Sequence, residues 1–102
     1  MGERMTATLL APGRHRILPD PNIEGPTCGL LPIGGAADSV STTGLRWDLK
    51  GQPLRFGGLV SSSNQLQLDA DGRAEVTVTT SHPIVWTTVL RPEGWPRSIF
   101  HN

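Results

Sequence analysis

An all-β domain, built as a sandwich or jelly-roll of short antiparallel strands, is the fold that the sequence predicts. Twelve glycines and nine prolines are spread along the 102 residues and keep uninterrupted segments short. Between these breaks, Val, Ile, Leu and Thr recur in runs of strand length, which favours β-structure. No window of helical length carries an apolar stripe free of Gly or Pro, which argues for strands rather than helices.

Composition narrows the class of protein. A chain of 102 residues fits one small domain with its own core. Nine basic and nine acidic side chains balance, so the positive field that a phosphate backbone requires is missing, and nucleic acid is not expected as a partner. The single cysteine excludes an internal disulfide. With neither a secretory signal segment nor a long apolar run, we expect a cytoplasmic protein without membrane contact.

Turn residues divide the first half of the chain into strands. Residues 6–10 are a candidate first strand, and Ala11-Pro12-Gly13 is a turn from which residues 14–18 return as the second arm of a hairpin. Residues 19–26 contain three prolines and are expected to form a loop. Residues 27–33 are almost continuously apolar, which indicates a strand at the centre of a sheet, and residues 38–43 are the next strand.

Two features of this half resemble functional motifs only weakly. Cys28 is better interpreted as a small buried hydrophobe than as a nucleophile, because no cationic neighbour in sequence would lower its pKa. Gly34-Gly35 lacks the spaced glycines and the Lys-Ser/Thr pair of phosphate-binding loops, so it is interpreted as a turn.

The centre of the chain concentrates the side chains suited to binding a ligand. Leu45, Trp47 and Leu49 alternate with charged residues and predict a strand with one buried face. The run Ser61-Ser62-Ser63-Asn64 follows a little later. It is interpreted either as a polar loop or, beside the indole, as a group of donors and acceptors for a flat polar ligand.

In the second half of the chain, apolar and polar residues again alternate along short segments. Residues 65–69 predict a half-buried strand, and Asp71-Gly72 predicts a hairpin turn rather than a calcium loop, which would need an acidic residue at its last position. Residues 74–79 and 84–90 are the last two strands, with Trp86 facing the core. Residues 91–102 are expected to form an irregular C-terminal tail.

Local motifs predict no catalytic residue and no metal site. His15, His82 and His101 are far apart in sequence and have no metal-ligand spacing. No G-x-S-x-G turn occurs, and the acidic residues are scattered. The residues themselves therefore favour a binding role.

Four segments, taken in order, resemble a known family. They are CGLLPIGG at residues 28–35, TTGLRWDL at 42–49, PLRFGGLVSSSN at 53–64 and VTVTTSHPIVWT at 76–87. Together they resemble the C-terminal domain of thiamin pyrophosphokinase. The resemblance implies a β-sandwich that binds thiamin, occupying residues 1–90 of this chain and followed by the tail.

The resemblance also implies the residues of a thiamin site. Ser61, Ser63 and Asn64 match the S-x-S-N motif of the family, and Trp47 matches the tryptophan of its G-L-(K/R)-W motif. Ser62 stands where the family more often has Thr. The indole would stack on thiamin, and the Ser and Asn groups would bond its ring nitrogens and amine.

The resemblance further implies a homodimer in which the vitamin lies between the kinase domain of one subunit and the β-domain of the other. That kinase domain, an N-terminal α/β domain that binds ATP and Mg²⁺, has no counterpart in these 102 residues. We therefore expect a thiamin-binding and dimerising domain that does not form thiamin diphosphate by itself, the kinase part belonging to a longer or a separate chain. The alternative is a structural or interaction module that kept the sandwich and lost the ligand.

Overall fold

The computed structural model describes residues 4–55 and 61–90, and for residues 61–63 it describes the backbone. Within these ranges every regular element is a strand, which confirms the predicted all-β class. The strands are β1 Met5–Leu10, β2 Gly13–Ile17, β3 Glu24–Pro32, β4 Ala37–Thr43, β5 Gln52–Leu54, β6 Ser61–Gln65, β7 Val76–Thr80 and β8 Ile84–Leu90. No helix long and apolar enough to cross a membrane occurs in this part of the chain.

The strands form two four-stranded sheets that share one core. The first sheet has the order β1-β8-β3-β6, and the second has the order β2-β7-β4-β5. All neighbouring strands are antiparallel. The largest aliphatic side chains that are fully buried come from both sheets: Leu30, Leu54, Ile84, Val40, Val76 and Val78. Since burying one such side chain stabilises the fold by about 1.5–3 kcal/mol, this shared core holds the sheets together.

The predicted hairpin between the first two strands is wrong. β1 pairs with β8, from Met5 opposite Val89 to Leu10 opposite Ile84, whereas β2 pairs with β7 in the other sheet. Two-residue hairpin loops use turns with positive φ at one or both central residues, and neither Ala11 nor Pro12 suits such a turn. The two residues instead lead the chain from one sheet to the other.

The buried central strands lie where the apolar runs of the sequence predict them. β3 lies between β8 and β6, as its continuous apolar run predicts, and Cys28 and Leu30 are buried there. Trp86 on β8 is 3% exposed and belongs to the core, as predicted. β3 begins at Glu24, inside the predicted loop 19–26. A shift in register between Glu24 and Cys28 accommodates Pro26, which has no N–H to donate to a neighbouring strand.

The polar run near residue 61 is a strand and not a loop. Ser61–Gln65 forms β6, an edge strand of the first sheet, with Asn64 opposite Cys28 and Ser61 opposite Leu30. The strand ends at Gln65, so the predicted strand over residues 65–69 is wrong, although Leu66 still forms an isolated bridge with Leu45. Pairing with the buried strand β3 satisfies the backbone groups of these polar residues and overrides their loop-like composition.

A turn lies before β7 where Asp71-Gly72 predicts one, but it does not join two paired strands. The predicted hairpin is therefore wrong, because β6 lies in the first sheet and β7 in the second. The Gly72 N–H donates to the Asp69 carbonyl at 3.0 Å, and the Asp69 N–H donates to the Arg73 carbonyl at 2.8 Å. The Asp69 carboxylate accepts hydrogen bonds from the backbone N–H groups of Asp71 and Arg73, both at 2.9 Å. The carboxylate therefore stabilises its own turn.

Candidate functional site

Residues 44–50, which we call the Trp47 turn, connect β4 to β5 and do not form the predicted strand. Leu45 and Leu49 are buried, at 4% and 6% exposure, but Trp47 between them is 54% exposed. The alternation predicts that Trp47 shares the buried face of these two leucines, and this prediction is wrong. Residues 45 and 49 both face the core because the chain turns back between them, so the same spacing arises from a turn instead of a strand.

Asp48 and Thr42 close the Trp47 turn. Asp48 Oδ1 accepts a hydrogen bond from the Leu45 backbone N–H at 3.0 Å and another from the Thr42 hydroxyl at 2.9 Å. The Thr42 hydroxyl oxygen in turn accepts from the Leu49 N–H at 2.8 Å. A side-chain carboxylate that bonds to backbone N–H groups a few residues away favours a turn over a strand.

Gly44 allows the turn to lie against the beginning of β7. Its φ is +86°, in the left-handed region that favours glycine. A Cβ atom at this position would lie 2.0 Å from the Glu75 carbonyl oxygen, far inside van der Waals contact. Only glycine therefore fits between the turn and β7, which explains the glycine in the segment TTGLRW.

Asn64 on β6 fixes the backbone of Trp47. Asn64 is 3% exposed, and its Oδ1 accepts a hydrogen bond from the Trp47 N–H at 3.1 Å while its Nδ2 donates to the Trp47 carbonyl at 2.8 Å. Asn64 Oδ1 also accepts from the Gln65 N–H at 2.9 Å. Two of the predicted site residues are thus brought together, and the contact joins the buried amide to the main chain beneath the exposed indole.

Backbone hydrogen bonds continue this connection on both sides of Asn64. The Arg46 N–H donates to the Gln65 carbonyl at 2.9 Å, and the Gln67 N–H donates to the Gly44 carbonyl at 3.0 Å. The Trp47 turn is therefore attached along its length to the end of β6. An exposed aromatic side chain on such a fixed backbone loses little conformational freedom when a ligand binds to it.

Arg46 is a residue of the site that the sequence reasoning missed. Its guanidinium carbon lies 4.8 Å from the centre of the Trp47 ring, within the range of a cation–π interaction. Arg46 Nη1 donates a hydrogen bond to Gln65 Oε1 at 3.1 Å. The signal in the sequence was the Arg-Trp pair itself, in which the charged residue was assigned to the solvent side of a strand.

Ser61 and Ser63 lie on the same strand as Asn64, at the edge of the first sheet, and the Trp47 turn is bonded to that strand through Asn64. Their side chains, and residues 56–60 that precede them, lie outside the described part of the chain. The thiamin contacts assigned to Ser61 and Ser63 therefore stay predictions. The described residues contain no group of three His, Cys, Asp or Glu side chains that could hold a metal ion.

Cys28 lies opposite Asn64 on β3 and behaves as a buried hydrophobe, as predicted. Only 1% of its surface is exposed. Burial raises the pKa of its thiol to about 12, because the thiolate would lose its hydration there. The thiol beneath the site is therefore neutral and contributes packing.

Comparison with known proteins identifies relatives that match most of this chain. Residues 14–85 match the family model described as thiamin pyrophosphokinase, vitamin B1 binding domain. The chain is 37% identical over 83 residues to thiamine pyrophosphokinase 2 of Arabidopsis thaliana and 42% identical over 77 residues to thiamine pyrophosphokinase 3 of Oryza sativa subsp. japonica. These alignments cover 81% and 76% of this chain, but only 29% and 28% of the relatives. The chain thus spans less than a third of the length of these curated relatives.

Solved structures agree with the sequence comparison. The crystal structure of yeast thiamin pyrophosphokinase superposes with a TM-score of 0.71 at 32% sequence identity, covering 85% of this chain and 27% of that one. Thiamine pyrophosphokinase from Bacillus subtilis superposes with a TM-score of 0.66 at 17% identity, covering 86% of this chain and 38% of that one. At that low identity the bacterial structure supports the fold alone.

Proposed function

Since this chain belongs to the thiamin pyrophosphokinase family, as its vitamin B1 binding domain, we propose that thiamin binds on the Trp47 turn and the adjoining strand β6. The observation that carries the proposal is the pairing of an exposed indole with a fixed main chain. Trp47 is 54% exposed, yet both of its backbone groups are bonded to the buried Asn64. A large aromatic side chain that is exposed on a rigid turn is well suited to bind a flat ring.

The chemistry of thiamin suits these residues. Thiamin joins a flat aminopyrimidine to a cationic thiazolium, and an indole that stacks on such a ligand contributes about 0.5–2 kcal/mol. In the proposal, the Ser61 and Ser63 hydroxyls supply hydrogen bonds to the ring nitrogens and the amine, each worth about 1 kcal/mol. Asn64 acts chiefly as a positioning residue, because its amide is already bonded to Trp47 and Gln65.

We propose a homodimer formed through the outer face of the first sheet. We define this face by five apolar residues: Met5, Leu9, Leu31, Val85 and Val89. These residues are neighbours across the strands, since Leu9 and Leu31 both lie opposite Val85 and Met5 lies opposite Val89. Met5 is 58% and Leu9 65% exposed. A contiguous apolar face of this kind favours contact with a second copy of the chain.

The same face supports the second candidate function, a module that kept the sandwich and its dimer surface but no longer binds thiamin. The two candidates differ in what they require of Trp47. In the first, the exposed indole contacts the ligand; in the second, it has no ligand and its exposure serves no binding. Thiamin affinity separates them, whereas the oligomeric state is the same for both.

The full family reaction is proposed only for this domain acting with an ATP-binding domain. Transfer of a diphosphate from ATP to thiamin needs Mg²⁺ and cationic groups positioned around the phosphates. We propose that this chain supplies the thiamin-binding half and that an ATP-binding domain supplies the rest. By itself the chain is expected to bind thiamin weakly, because tight binding of a small ligand needs most of its surface enclosed.

Calorimetric titration of the 102-residue chain with thiamin tests the proposal. We expect saturable binding in the high micromolar to millimolar range, and its loss in Trp47→Ala. Leu18→Ala is the matched control, because Leu18 is also an exposed apolar residue, at 62%, and lies in the loop after β2. Binding that survives Trp47→Ala would refute the proposed site, and no binding to the wild-type chain would favour the second candidate.

A further inference from the structure

The Trp47 turn holds a cation against the indole on which thiamin is proposed to stack. The Arg46 guanidinium carbon lies 4.8 Å from the ring centre. Its Nη1 donates to Gln65 Oε1 at 3.1 Å, and its backbone N–H donates to the Gln65 carbonyl at 2.9 Å. One face of the indole is therefore covered by a charged group that is fixed through both its side chain and its main chain.

We propose that Arg46 is a specificity-determining residue: it keeps a cationic ring of the ligand off Trp47 and leaves the indole to a neutral ring. This inference rests on the proposed function, because it concerns which part of thiamin lies on Trp47. For thiamin it assigns the aminopyrimidine to the indole and directs the thiazolium away from it. Arg46 acts here by its charge and by its position, without a bond to the ligand.

The attraction of the indole for a cation is already satisfied by Arg46. A cation on an aromatic face is held by the negative charge density of that face, and the guanidinium lies at such a position. A cationic ring that used the same face would have to displace Arg46 and break its hydrogen bond to Gln65. A neutral ring on the opposite face needs neither change.

A cationic ring on the opposite face would still be repelled. A stacked ring lies about 3.5 Å from the indole, so its charge would be roughly 8 Å from the guanidinium carbon. Two like charges at this distance near a protein surface lower affinity by roughly three- to tenfold at low salt. Added salt screens the repulsion and reduces the difference.

The affinities of the two halves of thiamin, each titrated as a separate compound, measure this effect. The probes are a neutral aminopyrimidine and an N-alkylated thiazolium, titrated into the wild-type chain, Arg46→Gln and the charge-retaining control Arg46→Lys. We expect Arg46→Gln to raise the affinity for the thiazolium roughly three- to tenfold at low salt and to change that for the aminopyrimidine less than about twofold. Arg46→Lys should match the wild type for both probes.

Nuclear Overhauser effects from intact thiamin to the Trp47 indole give a second readout. The proposal predicts contacts from the pyrimidine protons in the wild-type chain. If thiamin contacts Trp47 but thiazolium protons face the indole, or if Arg46→Gln leaves thiazolium affinity unchanged, the specificity role of Arg46 is refuted and the thiamin site stands. If thiamin makes no contact with Trp47, the proposed function fails and this inference fails with it.

Discussion

The side-chain amide of Asn64 is bonded to both backbone groups of Trp47, accepting from its N–H at 3.1 Å and donating to its carbonyl at 2.8 Å. The two residues are 17 positions apart in sequence. Trp47 lies in the connection between β4 and β5 of the second sheet, whereas Asn64 lies on β6 of the first sheet. A polar side chain in the core thus sets the position of an aromatic side chain on the surface. The buried and the exposed members of the candidate site depend on each other.

Replacing Asn64 with Ala is expected to lower the free energy of unfolding by about 2 kcal/mol, because the Trp47 and Gln65 backbone groups lose a buried partner. Urea denaturation measures the change. Gln67→Ala is the control, since that side chain is exposed, and it should cost less than about 0.5 kcal/mol. Equal stability of the two variants would show that the Asn64 bonds do not hold the turn.

Gly44→Ala is expected to destabilise the chain by about 3 kcal/mol or more, because the new methyl group would meet the Glu75 carbonyl oxygen at 2.0 Å. Gly34→Ala is a matched control: Gly34 also has positive φ, at +69°, but nothing lies within 4 Å of a Cβ there. The control should cost only about 1–2 kcal/mol, the strain of a left-handed backbone. Thermal unfolding of both variants would reveal the difference, and similar midpoints would argue against close packing of the turn on β7.

The Cys28 thiol is expected to resist alkylation in the folded chain at pH 8 and to react rapidly in denaturant. Its pKa is raised by burial from 9.0 to about 12, so the folded state holds this proton more tightly than the unfolded state does. The corresponding contribution to stability is complete below pH 9 and is lost as the pH rises towards 12. Alkylation kinetics followed by mass spectrometry measure the protection. Rapid labelling of folded protein would contradict the burial of Cys28.

Leu9→Glu is expected to dissociate the proposed dimer, because it places a charge in the outer face of the first sheet. Leu18→Glu adds the same charge at an exposed position outside that face and should leave association unchanged. Sedimentation velocity over a range of concentrations distinguishes dimer from monomer. A monomeric wild-type chain, or a Leu9→Glu variant that still dimerises, would refute the proposed interface.

Where a strand has one clear buried face, the sequence was sufficient to predict it. In β7, Val76, Val78 and Thr80 are buried and Thr79 between them is exposed, and β8 begins and ends at the predicted residues. Such alternation reflects the two faces of a pleated strand and needs no knowledge of the rest of the fold. Sheet membership was not predictable in the same way, because it depends on which distant strand completes the core.

The Trp47 turn shows why the site was only partly predictable. Leu45, Trp47 and Leu49 have the spacing of a strand, but Asp48 and Asn64 bind the backbone and turn the chain, so the indole faces solvent. The contact with Asn64 links residues 17 positions apart, and no local pattern contains it. The residue types alone made Trp47 and the run ending at Asn64 candidates for a ligand site, and the resemblance to a family then assigned them to thiamin. Only the fold shows that the two residues have different roles: the Trp47 ring is exposed, and the buried Asn64 amide supports its backbone.

Amide and indole chemical shifts of the ¹⁵N-labelled chain, recorded during titration with thiamin, show whether thiamin binds on the Trp47 turn. We expect saturable shifts of the Trp47 indole N–H and of backbone amides in residues 44–50 and 61–65, with small changes elsewhere. The indole signal is assigned with Trp47→Phe. Saturable shifts centred on another part of the surface, or no shifts at millimolar thiamin from a folded chain, would contradict the claim that the Trp47 turn is a thiamin-binding surface.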